Sequence, residues 1–316
     1  MNRLVVKMNN VVGHVGGCRH ATAMLLSGLL IGAVMFSDLA TAQTTRERGF
    51  GPYTLQTRRG DATVRLLRIE QDMIWVDRQV QSGQWVETGI PRRDVIAFRA
   101  PRPPEFVAAD QAQTPEQIAA AIDQLRRMVS RMRVFRDLPG IPVHEAILLM
   151  AELNERREFW RDALQQYEEL LAQTYEMPDR QLIRYRAGLA LWRMDRKERA
   201  LTYLLDDPIP EEDLEFYSAI QYARADSLAA SGRHREAIDA YLTLIVFHPF
   251  LANNEPRALA GIIPSYIALT DWDAVMKTFE ALQGDYPEAP ETAAIETLLA
   301  KFSEQVESER AFQLME

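Results

Sequence analysis

Thiols are all but absent. The chain of 316 residues has one cysteine, Cys18, and it lies in a leader expected to be removed. Without thiols there is no disulfide, no thiolate metal site and no cysteine nucleophile. Positive charge is also short. Lys and Arg number 36 against 45 Asp and Glu, a net charge of −9 with a pI of about 5.3. A nucleic-acid binder carries a basic footprint that neutralises phosphates, so no nucleic-acid partner is expected. Catalytic signatures are missing too. The sequence has no Gly-x-Ser-x-Gly, no phosphate loop and no dinucleotide fingerprint. His144, His234 and His248 fall in three different stretches, and His144-Glu145 lacks the second histidine of a metalloprotease helix. The acids Asp206-Asp207 and Glu211-Glu212-Asp213 flank Pro208 and Pro210, where acids complement a helix start. No enzyme activity, catalytic residue, metal or cofactor is expected.

What is present begins with an export leader. Arg3, Lys7 and Arg19 precede the uncharged apolar run Ala21 to Phe36, and Ala40-Thr41-Ala42 follows. This is the order of a secretory signal peptide, here residues 1–42. The run of about 16 residues is shorter than the roughly 20 that span a bilayer core. Cleavage and an exported, periplasmic or otherwise extracytoplasmic location are expected. Membrane contact would come only through the leader, if it stays uncleaved.

Residues 51–100 alternate with period two. Ile74, Val76 and Val80 recur on even positions, as do Val86, Thr88 and Ile90; Val95 and Ala97 oppose Ile96 and Phe98. Such alternation of β-branched and aromatic residues reads as strands. Arg59-Gly60-Asp61, Gln71-Asp72 and Ser82-Gly83-Gln84 punctuate them, giving four or five short antiparallel strands. The stretch resembles a small SH3-like β-barrel, and Gly89-Ile90-Pro91-Arg92-Arg93-Asp94-Val95-Ile96 is similar to the last strands of such barrels. Trp75 and Trp85 are either cross-strand packing or a stacking surface for a ligand. Residues 101–114 open with three prolines at 101, 103 and 104. They are expected to make a stiff spacer in which no regular helix starts.

From Pro115 onward apolar residues recur at helical spacing, with Thr114 as N-cap. A repeat is visible over the region 115–316. Ala163, Ala200, Ala237 and Val275 lie 37, 37 and 38 residues apart. Four residues after each stand Tyr167, Leu204, Tyr241 and Phe279. Twelve residues before each stand Ala151, Gly188, Ala225 and Ile263, followed three residues on by Asn154, Leu191, Leu228 and Tyr266. Small residues let two antiparallel helices approach, and the large residue packs toward the next pair. One pair cannot bury its apolar stripe alone, so pairs must stack. Pro264 is expected to kink or break the helix it sits in.

This pattern resembles the tetratricopeptide repeat. The third unit matches best, with Ala225, the turn Ser231-Gly232-Arg233, Ala237, Tyr241 and Pro249. The fourth has Tyr266, Asp271-Trp272-Asp273 as its turn, Phe279 and Pro287. The expected fold is mainly α, a solenoid of helical hairpins preceded by a small antiparallel β module. In that family the first helices line a concave groove, which would place Glu152, Tyr185, Leu189, Trp192, Tyr222 and Asp226 on the binding face. The implied function is a non-catalytic scaffold for a protein or peptide partner. The second reading is an envelope structural protein whose β module binds a cell-wall component, peptidoglycan or polysaccharide.

Overall fold

The computed structural model describes residues 49–81, 83–173, 179–205, 213–247 and 254–307. The expected leader with Cys18, the acids from Asp206 to Glu212, and Ser82, His248 and Pro249 lie outside them.

Five strands form one antiparallel sheet: β1 (Phe50–Thr57), β2 (Gly60–Glu70), β3 (Met73–Gln79), β4 (Trp85–Pro91) and β5 (Val95–Arg99). Their order is β4-β3-β2-β1-β5, so the sheet is open, with β4 and β5 as its edges. The alternation is physical: Val64, Leu66, Ile74 and Val76 are fully buried on the inner face. Val80 and Val86 are exposed. Val80 lies one residue past the end of β3 and Val86 near the start of β4, beyond the core, which period two does not reveal. In β5 the ladder to β1 shifts register between Gln56 and Thr57. Such a bulge re-aims side chains, and Ile96 is exposed while Phe98 is buried.

The expected spacer is partly helix. Helix α1 (Pro104–Gln111) starts at Pro104. Proline is suited to a first helical position, where its missing N–H would have no intrahelical partner anyway. Phe106 and Ala109 of α1 are buried. Helix α2 (Pro115–Met132) opens with a full capping box: Thr114 accepts from the Gln117 N–H, and the Gln117 side chain accepts from the Thr114 N–H. The sheet is fixed to the segment that follows α2. The Phe98 N–H donates to the Pro139 carbonyl at 2.8 Å, and the Phe50 and Phe135 rings meet edge-on at 5.8 Å. Gly140 has φ +84°, and a Cβ there would lie 1.9 Å from the Phe98 carbonyl oxygen. One apolar core runs from Tyr53 in the sheet to Ile262 in the helices. The β module and the helices therefore form one compact unit.

Four hairpins follow: α3 (Val143–Arg156) with α4 (Trp160–Leu171), α5 (Arg180–Arg193) with α6 (Lys197–Leu204), α7 (Leu214–Ala230) with α8 (His234–Phe247), and α9 (Asn254–Ala268) with α10 (Trp272–Asp285). Helix α11 (Pro290–Leu299) packs on α9 and α10. The fold is a tetratricopeptide-like solenoid. Ala151, Ala163, Ala200, Ala225, Ala237, Ile263 and Val275 are all fully buried. The large residues behave as the repeat requires. A Cβ on Gly188 would come within 2.6 Å of Leu204, across its own hairpin. A Cβ on Gly261 would come within 2.5 Å of the Tyr241 ring, which packs on the following hairpin.

The turns repeat as well. Glu158, Asp195, Gly232 and Thr270 all have φ between +57° and +74°. In each turn the next N–H reaches back to the carbonyl of Asn154, Leu191, Leu228 or Tyr266, at 2.9–3.0 Å. This is the Schellman closure, which satisfies orphan carbonyls at a helix end. The fourth turn thus centres on Thr270, and Asp271 is the N-cap of α10, accepting from the Ala274 N–H. The turn expected at Asp271-Trp272-Asp273 is displaced because Asp271 caps the helix that starts at Trp272. Helix α9 continues through Pro264 without a break, the proline lying inside the helix.

Candidate functional site

The first helices of the hairpins, α3, α5, α7 and α9, carry the residues expected to line a groove. The structure sorts them. Tyr185 is fully buried and Tyr222 is 2% exposed. Neither ring is an open contact surface, and Tyr222 is covered by Arg257 of the next unit. Glu152, Leu189, Trp192 and Asp226 are half-buried.

Two clusters emerge. In the first, Arg186 of α5 lies 2.7 Å from Glu155 and 3.4 Å from Glu152 of α3. Its guanidinium also sits 5.7 Å from the Phe216 ring of α7. Burial raises the Glu155 pKa, and the Arg186 charge opposes that rise. Burial, then the Glu155 charge, pushes the Tyr167 hydroxyl far above its ordinary range. The cluster joins three successive hairpins.

The second cluster gathers four helices around Asp226 of α7. The Trp192 indole N–H donates to Asp226 Oδ2 at 2.8 Å. The Tyr241 hydroxyl of α8 donates to Asp226 Oδ1. Burial first, and the Asp226 charge next, raises the Tyr241 pKa. Arg257 of α9 lies over the Tyr222 ring at 4.0 Å and 5.7 Å from the Trp192 ring. Arg193 approaches Trp192 from α5 at 4.9 Å and Trp160 of α4 at 5.7 Å. Trp192, Tyr222 and Asp226 are thus brought together, whereas Glu152 belongs to the first cluster and Tyr185 to the core.

No protein-family model matches the chain, and no curated protein matches it. Solved structures that resemble it include YrrB, a TPR protein with an unusual peptide-binding site. It is 13% identical over 58% of this chain and 89% of its own, with a TM-score of 0.43. MamA is 18% identical over 58% and 94%, with a TM-score of 0.42. PilF of Pseudomonas aeruginosa is 16% identical over 61% and 78%, with a TM-score of 0.41. Likeness at this level carries no function from those proteins to this chain.

Arg257, Arg193, Glu155 and Arg186 escaped the sequence reading. Arg257 stands six residues before Ile263, in the repeat column of Glu145, Leu182 and Ala219. Reading that column would have placed it on the same helix face, but its contact with Tyr222 is made across the boundary to the preceding unit. Among the described residues no three His, Cys, Asp or Glu side chains cluster to hold a metal ion. His144 is buried, and that burial lowers its pKa. On the outer face of the sheet, guanidiniums cover both tryptophans, Arg68 over Trp75 at 4.8 Å and Arg65 over Trp85 at 4.2 Å. Each ring therefore has a guanidinium of the same sheet packed over it.

Proposed function

We propose that the chain is a non-catalytic scaffold that holds a protein or peptide partner on the face formed by α3, α5, α7 and α9. The observation that carries this reading is the Asp226 cluster. Aromatic rings and charged groups from four helices converge on half-exposed ground, and Trp, Tyr and Arg are the side chains that anchor interfaces. The solenoid geometry supports it, since stacked hairpins present their first helices side by side over an extended surface. The leader pattern supports action outside the cytoplasm.

Affinity capture from envelope lysate tests the reading. A defined partner recovered by the native chain should be lost when Trp192→Ala and Asp226→Ala are combined, with the helical circular dichroism retained. Equal recovery by the double variant would move the working surface elsewhere.

A further inference from the structure

The environment of Arg257 has the form of a cation site already filled. Its guanidinium rests on Tyr222 and beside Trp192, and aromatic faces attract cations through the ring quadrupole. The Asp226 carboxylate lies in the same cluster, yet both its oxygens are held by neutral donors, Trp192 and Tyr241. Burial above all raises the Tyr222 pKa; the Arg257 charge opposes that rise, and the Glu291 charge adds to it. Arg257 itself is exposed, and among the described residues it makes no ion pair. Its side chain lies against the Tyr222 and Trp192 rings at the solvent boundary.

The wider field has the same sign. Residues 200–316 carry 21 Asp and Glu against 7 Lys and Arg. Such a field draws basic segments and repels acidic ones.

We propose that this site takes an arginine or lysine side chain from a basic segment of the partner, and that Arg257 occupies it when the partner is absent. The proposal rests on the scaffold reading and gives its groove a ligand class. A guest cation would replace like with like. Arg193, on the far contact of Trp192, stays in place, and the site keeps the charge balance it has now. The chain's own arginine then acts as a competitor that sets the threshold for binding.

The test titrates the full chain into a short, fluorescein-labelled, acetylated peptide alternating arginine and glycine, and into its glutamate counterpart. The native chain should bind the arginine peptide and not the glutamate one. Arg257→Ala should bind the arginine peptide about threefold more tightly or better, because removing an internal occupant raises the fraction of competent sites. Asp226→Asn, which keeps an acceptor for Trp192, should weaken it about tenfold through loss of the charge. Thermal unfolding of each variant confirms that it is folded. Preference for the glutamate peptide, weakening by Arg257→Ala, or no binding by either form would overturn the proposal. In the last case, partner capture that still depends on Trp192 and Asp226 would leave the scaffold reading standing.

Discussion

Three of the four hairpin turns place a side chain where glycine is the natural occupant. Glu158, Asp195 and Thr270 adopt the left-handed conformation that Gly232 adopts in the third unit. For a β-branched residue such as Thr270 this is the costliest case. Thr270→Gly should therefore stabilise the fourth hairpin by up to about 1 kcal/mol, after allowing for glycine's greater freedom in the unfolded chain. A urea titration reads the change, and a destabilised variant would show that Thr270 makes contacts worth more than its strain. Arg186 is the opposite case. Its partner Glu155 is only 18% exposed, so removing the guanidinium leaves a largely buried carboxylate alone. Arg186→Met should cost roughly 2–3 kcal/mol at neutral pH, toward the low end for a broken buried pair. Because burial raises the Glu155 pKa, the folded variant holds a proton more tightly than the unfolded one. The deficit should be full at neutral pH and shrink as pH falls toward the ordinary carboxylate range.

At the scale of elements, packing decides what periodicity leaves open. Period two placed Val80, Val86 and Ile96 with the core strands, and all three are exposed. Alternation reports which face a residue takes, but not whether the core extends that far along the strand. The three prolines at 101, 103 and 104 oppose regular structure by local rules. Pro104 instead starts α1, and the buried Phe106 anchors it. The join between sheet and helices is close enough to test. A methyl at Gly140 would collide with the Phe98 backbone, in a conformation that L residues avoid. Gly140→Ala should lose more than about 3 kcal/mol, with the near-ultraviolet signal of the sheet tryptophans and the helical signal failing together. Separate transitions would show the two parts to be independent. Tyr185 and Tyr222 illustrate the same limit at the groove. Their place in the repeat is legible, but their burial is not, and Arg257 lies over Tyr222 from the first helix of the next unit.

For the whole molecule, the tyrosines govern the response to alkali. Burial raises Tyr53 to about 12 and pushes Tyr167, Tyr222 and Tyr241 well above their ordinary range. In the unfolded chain each loses its proton near pH 10. The folded form then holds more protons than the unfolded form, so stability falls as pH rises above that value. The slope is up to about 1.4 kcal/mol per pH unit for each such tyrosine. Phenolate absorbance and helix loss should therefore appear in one cooperative step above about pH 10. Phenolate absorbance rising well before the helices melt would show these rings to be accessible.

The sequence by itself determined the repeat. Small and large residues at fixed spacing dictate helix pairs that must stack, because a lone hairpin leaves its apolar stripe in water. It also determined the strand-rich module and the Thr114 helix start, since alternation and capping are local. Only the tertiary structure decided that the sheet is docked on the segment between α2 and α3. It also decided which groove residues remain open and which cation covers Tyr222. Those depend on contacts between residues 30 or more positions apart, such as Trp192 with Asp226 and Tyr222 with Arg257, whose energies no local pattern records.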